Sequence, residues 1–79
     1  MHITFTPAAL RQWTKLDVAL RRRIKAKIET FAETGNGDVK KLQGRAGSRL
    51  RVGDFRVIFY IEDQFMVIVA VGDRRDIYD

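Results

Sequence analysis

The sequence contains no cysteine, one proline and one histidine in 79 residues. Without cysteine, disulfide bonds and thiolate metal sites are excluded, and nothing indicates an oxidising compartment. The single histidine, His2, stands beside the N-terminus, which argues against a histidine-based metal site or catalytic triad. The longest apolar run, residues 65–71, is too short to span a bilayer, and no signal peptide is visible. We therefore expect a cytoplasmic protein with no membrane partner, no metal and no cofactor.

Positive charge is in excess. The chain carries 15 lysine and arginine residues against 10 acidic ones, for a net charge of +5. This balance favours nucleic acid or an acidic protein as partner, although charge alone does not choose between them. The length predicts one domain over residues 1–79 with a small core, which a partner covering apolar surface would stabilise.

The first half of the chain predicts a short strand followed by two helices. The strand covers residues 3–5, and Thr6-Pro7 reads as the cap and first residue of a helix. Asp17 is expected to cap a second helix, which ends near Gly35. The second helix has an apolar stripe at helical spacing, made of Leu20, Ile24, Ile28 and Phe31. The two helices are joined almost without a loop, so we expect a helical hairpin packed on a sheet.

The second half predicts an antiparallel meander. Residues 38–47 read as a basic loop, and strands are expected at 48–52, 55–61 and 65–71. Gly53-Asp54 and residues 62–64 form the turns between them, and residues 77–78 are expected to add a last short strand. This order is typical of an α+β, two-layer domain.

The Gly53-Asp54 turn makes a prediction about side-chain faces. Glycine at the first turn position suits a type II′ hairpin, which places Arg51 opposite Arg56. Because strand side chains alternate, Arg49, Arg51 and Arg56 share one face, while the apolar residues of the hairpin share the other. Like charges directly opposite each other are unfavourable, so this face predicts an anionic partner such as a phosphate backbone. The alternative is an ordinary solvated sheet face.

The register of the last hairpin stays open. A turn of three residues at 62–64 would place Arg56 opposite Ala70 and put Arg74 on their face. A turn of two or four residues would bring Arg75 there instead.

Three segments together resemble the RelE/ParE superfamily of type II toxins. They are Lys41-Leu42-x-Gly44, residues 49–59 (RLRVGDFRVIF) and residues 71–78 (VGDRRDIY). The helical hairpin is similar too, so the resemblance covers nearly the whole chain. It implies the RelE-like fold and a cognate antitoxin that holds the toxin inactive.

The superfamily has two branches with different targets. RelE-like members cleave mRNA in the ribosomal A site, whereas ParE-like members inhibit DNA gyrase and are not nucleases. The ending of this chain, with Tyr78 four residues after Arg74, resembles the RelE branch. The resemblance therefore implies mRNA and the ribosome as partners, with DNA gyrase as the alternative. A basic binding module without catalysis is a third possibility.

The resemblance also implies residue roles. Arg49 and Arg51 stand where the family has lysine or arginine, Arg56 and Arg74 match its phosphate-stabilising arginines, and Tyr78 matches its proposed general base. The residues expected to bind RNA are Lys40, Lys41, Arg45 and Tyr60.

Metal-free RNA cleavage needs the 2′-hydroxyl to lose a proton, the phosphorane to be stabilised and the 5′-oxygen to leave. Arginine forks suit the second task, and nearby cations favour the phenolate that a tyrosine base requires. Arginine donates protons poorly, which leaves the general acid open. Without the resemblance, Arg74 would be read as an exposed ion-pair partner of Asp73 or Asp76, and Tyr78 as an edge-strand packing residue.

Overall fold

The computed structural model describes residues 1–77. Its elements, in chain order, are β1 (His2–Phe5), α1 (Pro7–Thr14), α2 (Val18–Thr34), β2 (Val39–Lys41), β3 (Ser48–Val52), β4 (Phe55–Glu62) and β5 (Phe65–Asp73). The α+β order of strand, two helices and antiparallel meander is thus confirmed. No helix within these residues is both long and apolar enough to cross a membrane.

The helix ends follow from local chemistry. The Thr6 hydroxyl accepts a hydrogen bond from the Ala9 amide at 3.2 Å, and the Asp17 carboxylate accepts one from the Leu20 amide at 2.8 Å. Each bond satisfies an amide that has no partner within its helix. Gly35 ends α2 in the left-handed conformation, with φ at 79°. The predicted caps are confirmed.

The five strands form one sheet in the order β1-β5-β4-β3-β2. β1 pairs parallel to β5, and the other pairs are antiparallel. The structure differs from the sequence prediction at β2, which lies in a segment predicted as loop. Its first residue, Val39, is half-buried opposite Leu50, so a single apolar side chain anchors this edge strand to β3.

The core lies between the two helices and one face of the sheet. α1 packs on β5 and β1, and α2 packs on β3 and β1. Phe31 packs against the core as predicted, Trp13 packs against it as well, and Leu10 is 49% exposed. The central buried side chains are Ala9, Ile24, Ile28, Ala32, Leu50, Val52, Val57, Phe59, Met66, Ile68 and Val71. We call the opposite side of the sheet, which carries no helix, the open face.

A β-bulge determines which side chains of β5 point toward the helices. The β4–β5 turn has two residues, one of the lengths left open by the sequence, because Glu62 pairs with Phe65. The register then shifts between Ile58 and Phe59, which leaves Val69 as an extra residue of β5. The shift lets β5 bury Met66, Ile68 and Val71, whose spacing of two and then three does not fit a regular strand. Beyond the bulge, Arg56 faces Gly72.

After β5 the chain turns back over the end of the sheet. The amides of Asp76 and Ile77 donate to the carbonyl of Asp73, at 2.9 and 3.2 Å. A Cβ placed on Gly72 would lie 3.0 Å from the Ile77 side chain, so Ile77 lies against the residue that faces Arg56. The prediction of a last strand is wrong for Ile77, which lies in a bend; Tyr78 is outside the described residues.

Candidate functional site

The β3–β4 hairpin has the predicted register. Val52 pairs with Phe55 and Arg51 with Arg56. Gly53 has φ at 60°, and Asp54 has no positive φ, as a type II′ turn requires. The apolar side of the hairpin is buried beneath the helices, and its arginines therefore lie on the open face.

Two guanidinium groups meet at the turn. The Nε of Arg51 donates to the carbonyl oxygen of Gly53 at 3.4 Å, and Nη1 of Arg56 donates to the same oxygen at 3.3 Å. Nη1 of Arg56 also lies 3.3 Å from the carbonyl oxygen of Phe55. One backbone oxygen thus holds two like charges side by side, with Arg51 exposed to solvent.

Arg56 is the buried member of this pair. Only 7% of its surface is exposed, and its Nε has no hydrogen-bond partner. Within residues 1–77 no carboxylate forms an ion pair with it. A buried guanidinium without a counterion is costly, and an unpaired buried donor adds to the cost. The arrangement suits an anion that arrives from outside the chain.

Two further cations share the open face with this pair. Arg49 on β3 lies opposite Lys40 on β2 in the strand register. Because side chains alternate along β3, Arg49 points to the same face as Arg51. Lys41 alternates to the other side of the edge strand, opposite Ser48. Both lysines border a recess of about 230 Å³ with Gln43 and Arg49. We call Lys40, Arg49, Arg51 and Arg56 the cationic cluster.

Arg74 and Arg75 have different environments. The amide of Arg74 donates to the Asp54 carbonyl at 2.8 Å, which ties it to the turn, and its side chain is exposed. Arg75 instead bonds Asp73 through both its amide and its Nε, at 2.9 and 3.1 Å. These hydrogen bonds hold the pKa of Asp73 below 3.8, and the same carboxylate raises the pKa of Arg75. The guanidinium of Arg75 is therefore paired with Asp73. A β4–β5 turn of two or four residues without the bulge would have placed Arg75, rather than Arg74, on the face of the cationic cluster.

The remaining predicted residues lie at the other end of the sheet. Arg45 and Tyr60 border an open groove of about 520 Å³ beside the 42–47 loop. Tyr60 lies four residues beyond Arg56 on β4, and 39% of its surface is exposed. The structure thus places these two residues farther along the sheet than the cationic cluster, with Tyr60 on the same face of β4 as Arg56. Tyr78 lies outside the residues that the structure describes.

Sequence reasoning missed one cation at the turn. Nη2 of Arg23, on α2, lies 2.7 Å from the position that a Cβ on Gly53 would take. From the sequence, Arg23 belongs to a run of charges on the second helix that is read as its solvated face, with no role at the turn. The available signal was its place directly before Ile24, a fully buried position of α2, which puts Arg23 at the border of the packed face.

Comparison with known proteins agrees with this architecture. A profile of the ParE toxin of the parDE type II toxin–antitoxin system matches residues 3–78. A RelE-like toxin protein of Escherichia coli is 30% identical over 84 residues, covering 98% of this chain and 88% of that protein. The mRNA interferase toxin RelE of E. coli K12 is 27% identical over 78 residues, covering 92% and 82%.

Solved structures show the same fold. A chain of the RelB–RelE antitoxin–toxin complex of Methanococcus jannaschii matches with a TM-score of 0.77 at 24% identity, over 95% of this chain and 94% of that one. The isolated E. coli RelE toxin matches with a TM-score of 0.78 at 22% identity, over 91% and 82%. The profile, the sequence relatives and the fold agree: the chain belongs to the RelE/ParE superfamily of type II toxin–antitoxin toxins and is of the RelE type.

Proposed function

We propose that this toxin is a ribosome-dependent mRNA interferase, in which Arg49, Arg51, Arg56 and Arg74 bind the scissile phosphate and Tyr78 is the general base. The observation that carries the proposal is the state of Arg56, which is buried, has an unpaired Nε and has no carboxylate partner within residues 1–77. The sequence relatives named as mRNA interferases support the choice of substrate.

The geometry suits stabilisation of a phosphorane. In-line attack of a ribose 2′-hydroxyl places extra negative charge on the non-bridging oxygens of the phosphate. Arg51 and Arg56 are held by the Gly53 carbonyl before any substrate binds, so little reorganisation is required when that charge develops. A well-placed donor of this kind contributes about 3–4 kcal/mol to transition-state stabilisation.

The general base is supported by the family motif, in which Tyr78 follows Arg74 by four residues. A phenol in water has a pKa of about 10 and is a weak base at neutral pH. Cations beside the bound phosphate would favour the phenolate, which couples the base to the arginines. Replacing Tyr78 by phenylalanine should therefore abolish cleavage while RNA binding is retained.

The partner that we propose for regulation is a cognate antitoxin. Solved relatives were crystallised as complexes with RelB antitoxins. An acidic amphipathic tail would neutralise the cationic cluster and cover apolar surface at the same time. A small reading frame adjacent to this one would be the first observation to seek. The toxin would act in the cytoplasm, where its ribosomal target is.

A translated-mRNA assay tests the proposal. Purified toxin is added to the same message with and without ribosomes, and the new 5′ ends are mapped by primer extension. We expect codon-phased cuts only on translated message, lost in Arg51→Ala and kept in Arg22→Ala, which removes an exposed cation of α2. Intact message in both reactions overturns the proposal.

Gyrase inhibition is the second candidate, because the family profile that matches is that of a ParE toxin. It predicts growth arrest with intact message and loss of supercoiling activity when toxin is added to purified gyrase. Normal supercoiling in that assay would eliminate this alternative.

A further inference from the structure

Three ring-bearing side chains lie in a row across the open face, at the end of the sheet away from the Gly53 turn. His2 on β1 faces Phe65 on β5, and their ring centroids are 5.4 Å apart. Tyr60 on β4 faces Val67, two residues along β5 from Phe65, and so lies on the diagonal from it. We call His2, Phe65 and Tyr60 the aromatic row.

The aromatic row is exposed to solvent. Phe65 is 47% exposed and Tyr60 is 39% exposed, and His2 is exposed as well. The core does not require these rings, because it is formed on the other face of the same strands. Their faces are available to a partner.

The row is continuous with the cationic cluster. On β4, Tyr60 lies four residues from Arg56, a separation of about 13 Å along the strand. The open-face positions between them carry small or aliphatic side chains, Ile58, Ala70 and Val67. A nucleic-acid strand whose phosphates contact the arginines can therefore extend along the sheet to the rings, because no charged side chain stands at these intervening positions.

We propose that the aromatic row is a stacking platform for unpaired bases of single-stranded RNA, beside the phosphates held by the cationic cluster. The inference rests on the proposed function, since it adds a binding track to the same site. Cations that follow a backbone together with rings that stack on its bases are the combination that binds single strands without reading their sequence. An antitoxin tail that covers the same rings is the alternative occupant, and its binding is an outcome of the test below.

The test is binding of a labelled, 2′-O-methylated RNA hexanucleotide, which lacks the hydroxyl needed for cleavage and requires no ribosome. Fluorescence anisotropy gives the Kd for the wild type and for Tyr60→Leu and Phe65→Leu, which keep an apolar side chain but lose the ring. We expect each variant to bind about 5- to 150-fold more weakly. Leu10→Ala is the matched control, since Leu10 is 49% exposed and lies on α1, on the other side of the sheet; its Kd should be unchanged.

Two further readouts separate stacking from a general structural effect. The salt dependence of binding should be the same in the ring variants as in the wild type, and should become shallower in Arg51→Ala, which removes a phosphate contact. Hexanucleotide added to isotope-labelled wild type should shift the backbone amide signals of residues 2–4, 60 and 65–67. Shifts confined to the helices would overturn the proposal even if the variants failed to fold.

The platform and the nuclease can fail independently. Wild-type hexanucleotide affinity in both ring variants, together with weakened binding of the antitoxin, would overturn the platform and assign the row to protein docking. Weakened hexanucleotide binding with no cleavage on ribosomes would support the platform and refute the nuclease.

Discussion

Replacing Arg56 by methionine should separate activity from stability. Methionine is unbranched and uncharged, so it fills the space of the aliphatic stem of a side chain that is 7% exposed. If Arg56 stabilises the phosphorane, its loss should lower the cleavage rate on ribosomes by about 10²–10³-fold, the usual effect of removing one preorganised donor.

The effect on stability should be small, because two contributions oppose each other. The substitution removes a buried charge and an unpaired Nε, and an unpaired buried donor costs about 1–3 kcal/mol. It also removes the 3.3 Å hydrogen bonds to the carbonyls of Gly53 and Phe55, which are long and contribute about 1 kcal/mol each. We expect the free energy of unfolding to stay within about 1 kcal/mol of the wild type, which is a Tm change of at most about 4–8 °C.

Primer extension on translated message measures the activity, and thermal unfolding followed by circular dichroism measures the stability. Phe59→Ala is the reference for structural damage, since truncating a buried phenylalanine costs about 3–5 kcal/mol. Arg22→Met is the control for loss of an exposed cation and should change neither quantity. The reasoning is refuted if Arg56→Met cleaves at the wild-type rate, or if it loses as much stability as Phe59→Ala.

Three further predictions concern the scaffold, each measured by thermal unfolding. Gly53→Ala should lose about 1–2 kcal/mol, because φ at 60° is unfavourable for alanine and the new Cβ would lie 2.7 Å from Arg23; an unchanged Tm would contradict the type II′ turn. Asp17→Ala should lower the free energy of unfolding by about 1 kcal/mol, because it removes the cap of α2, whereas Asp17→Ser should retain most of that stability. Asp73→Asn should lower the Tm at neutral pH, because the pKa of Asp73 in the folded chain is below 3.8 and ionisation there favours folding. The difference from wild type should hold above the usual pKa of aspartate and shrink as the pH falls through the lowered pKa of Asp73; a difference that persists once Asp73 is protonated would exclude its charge as the cause.

Local chemistry explains what the sequence predicts well. The caps at Thr6 and Asp17 depend on residues within one turn of the helix, and the facing of Arg51 and Arg56 depends on the Gly53-Asp54 turn alone. Such short-range rules need no knowledge of the rest of the chain.

The features that the sequence does not predict depend on distant contacts. The strand β2 has one half-buried apolar residue, Val39, and exists because β3 offers a free edge. The fold-back after β5 is non-local as well, since it places Ile77 against Gly72, the β5 residue that faces Arg56. From the sequence, Arg56 looks like Arg51; only the fold distinguishes the buried guanidinium from the exposed one.

The extra residue in β5 has a consequence for how related chains are aligned. A relative that lacked a counterpart of Val69 could keep every β4–β5 partner, since Ile68 and Ala70 already face neighbouring residues of β4. A gap in an alignment of this hairpin therefore belongs at position 69, and moving it into the Asp63-Gln64 turn would compare inward-pointing residues with outward-pointing ones. An alignment with the gap in the turn would shift residues 65–68 by one position, while the residues before the turn and after position 69 would still be aligned correctly.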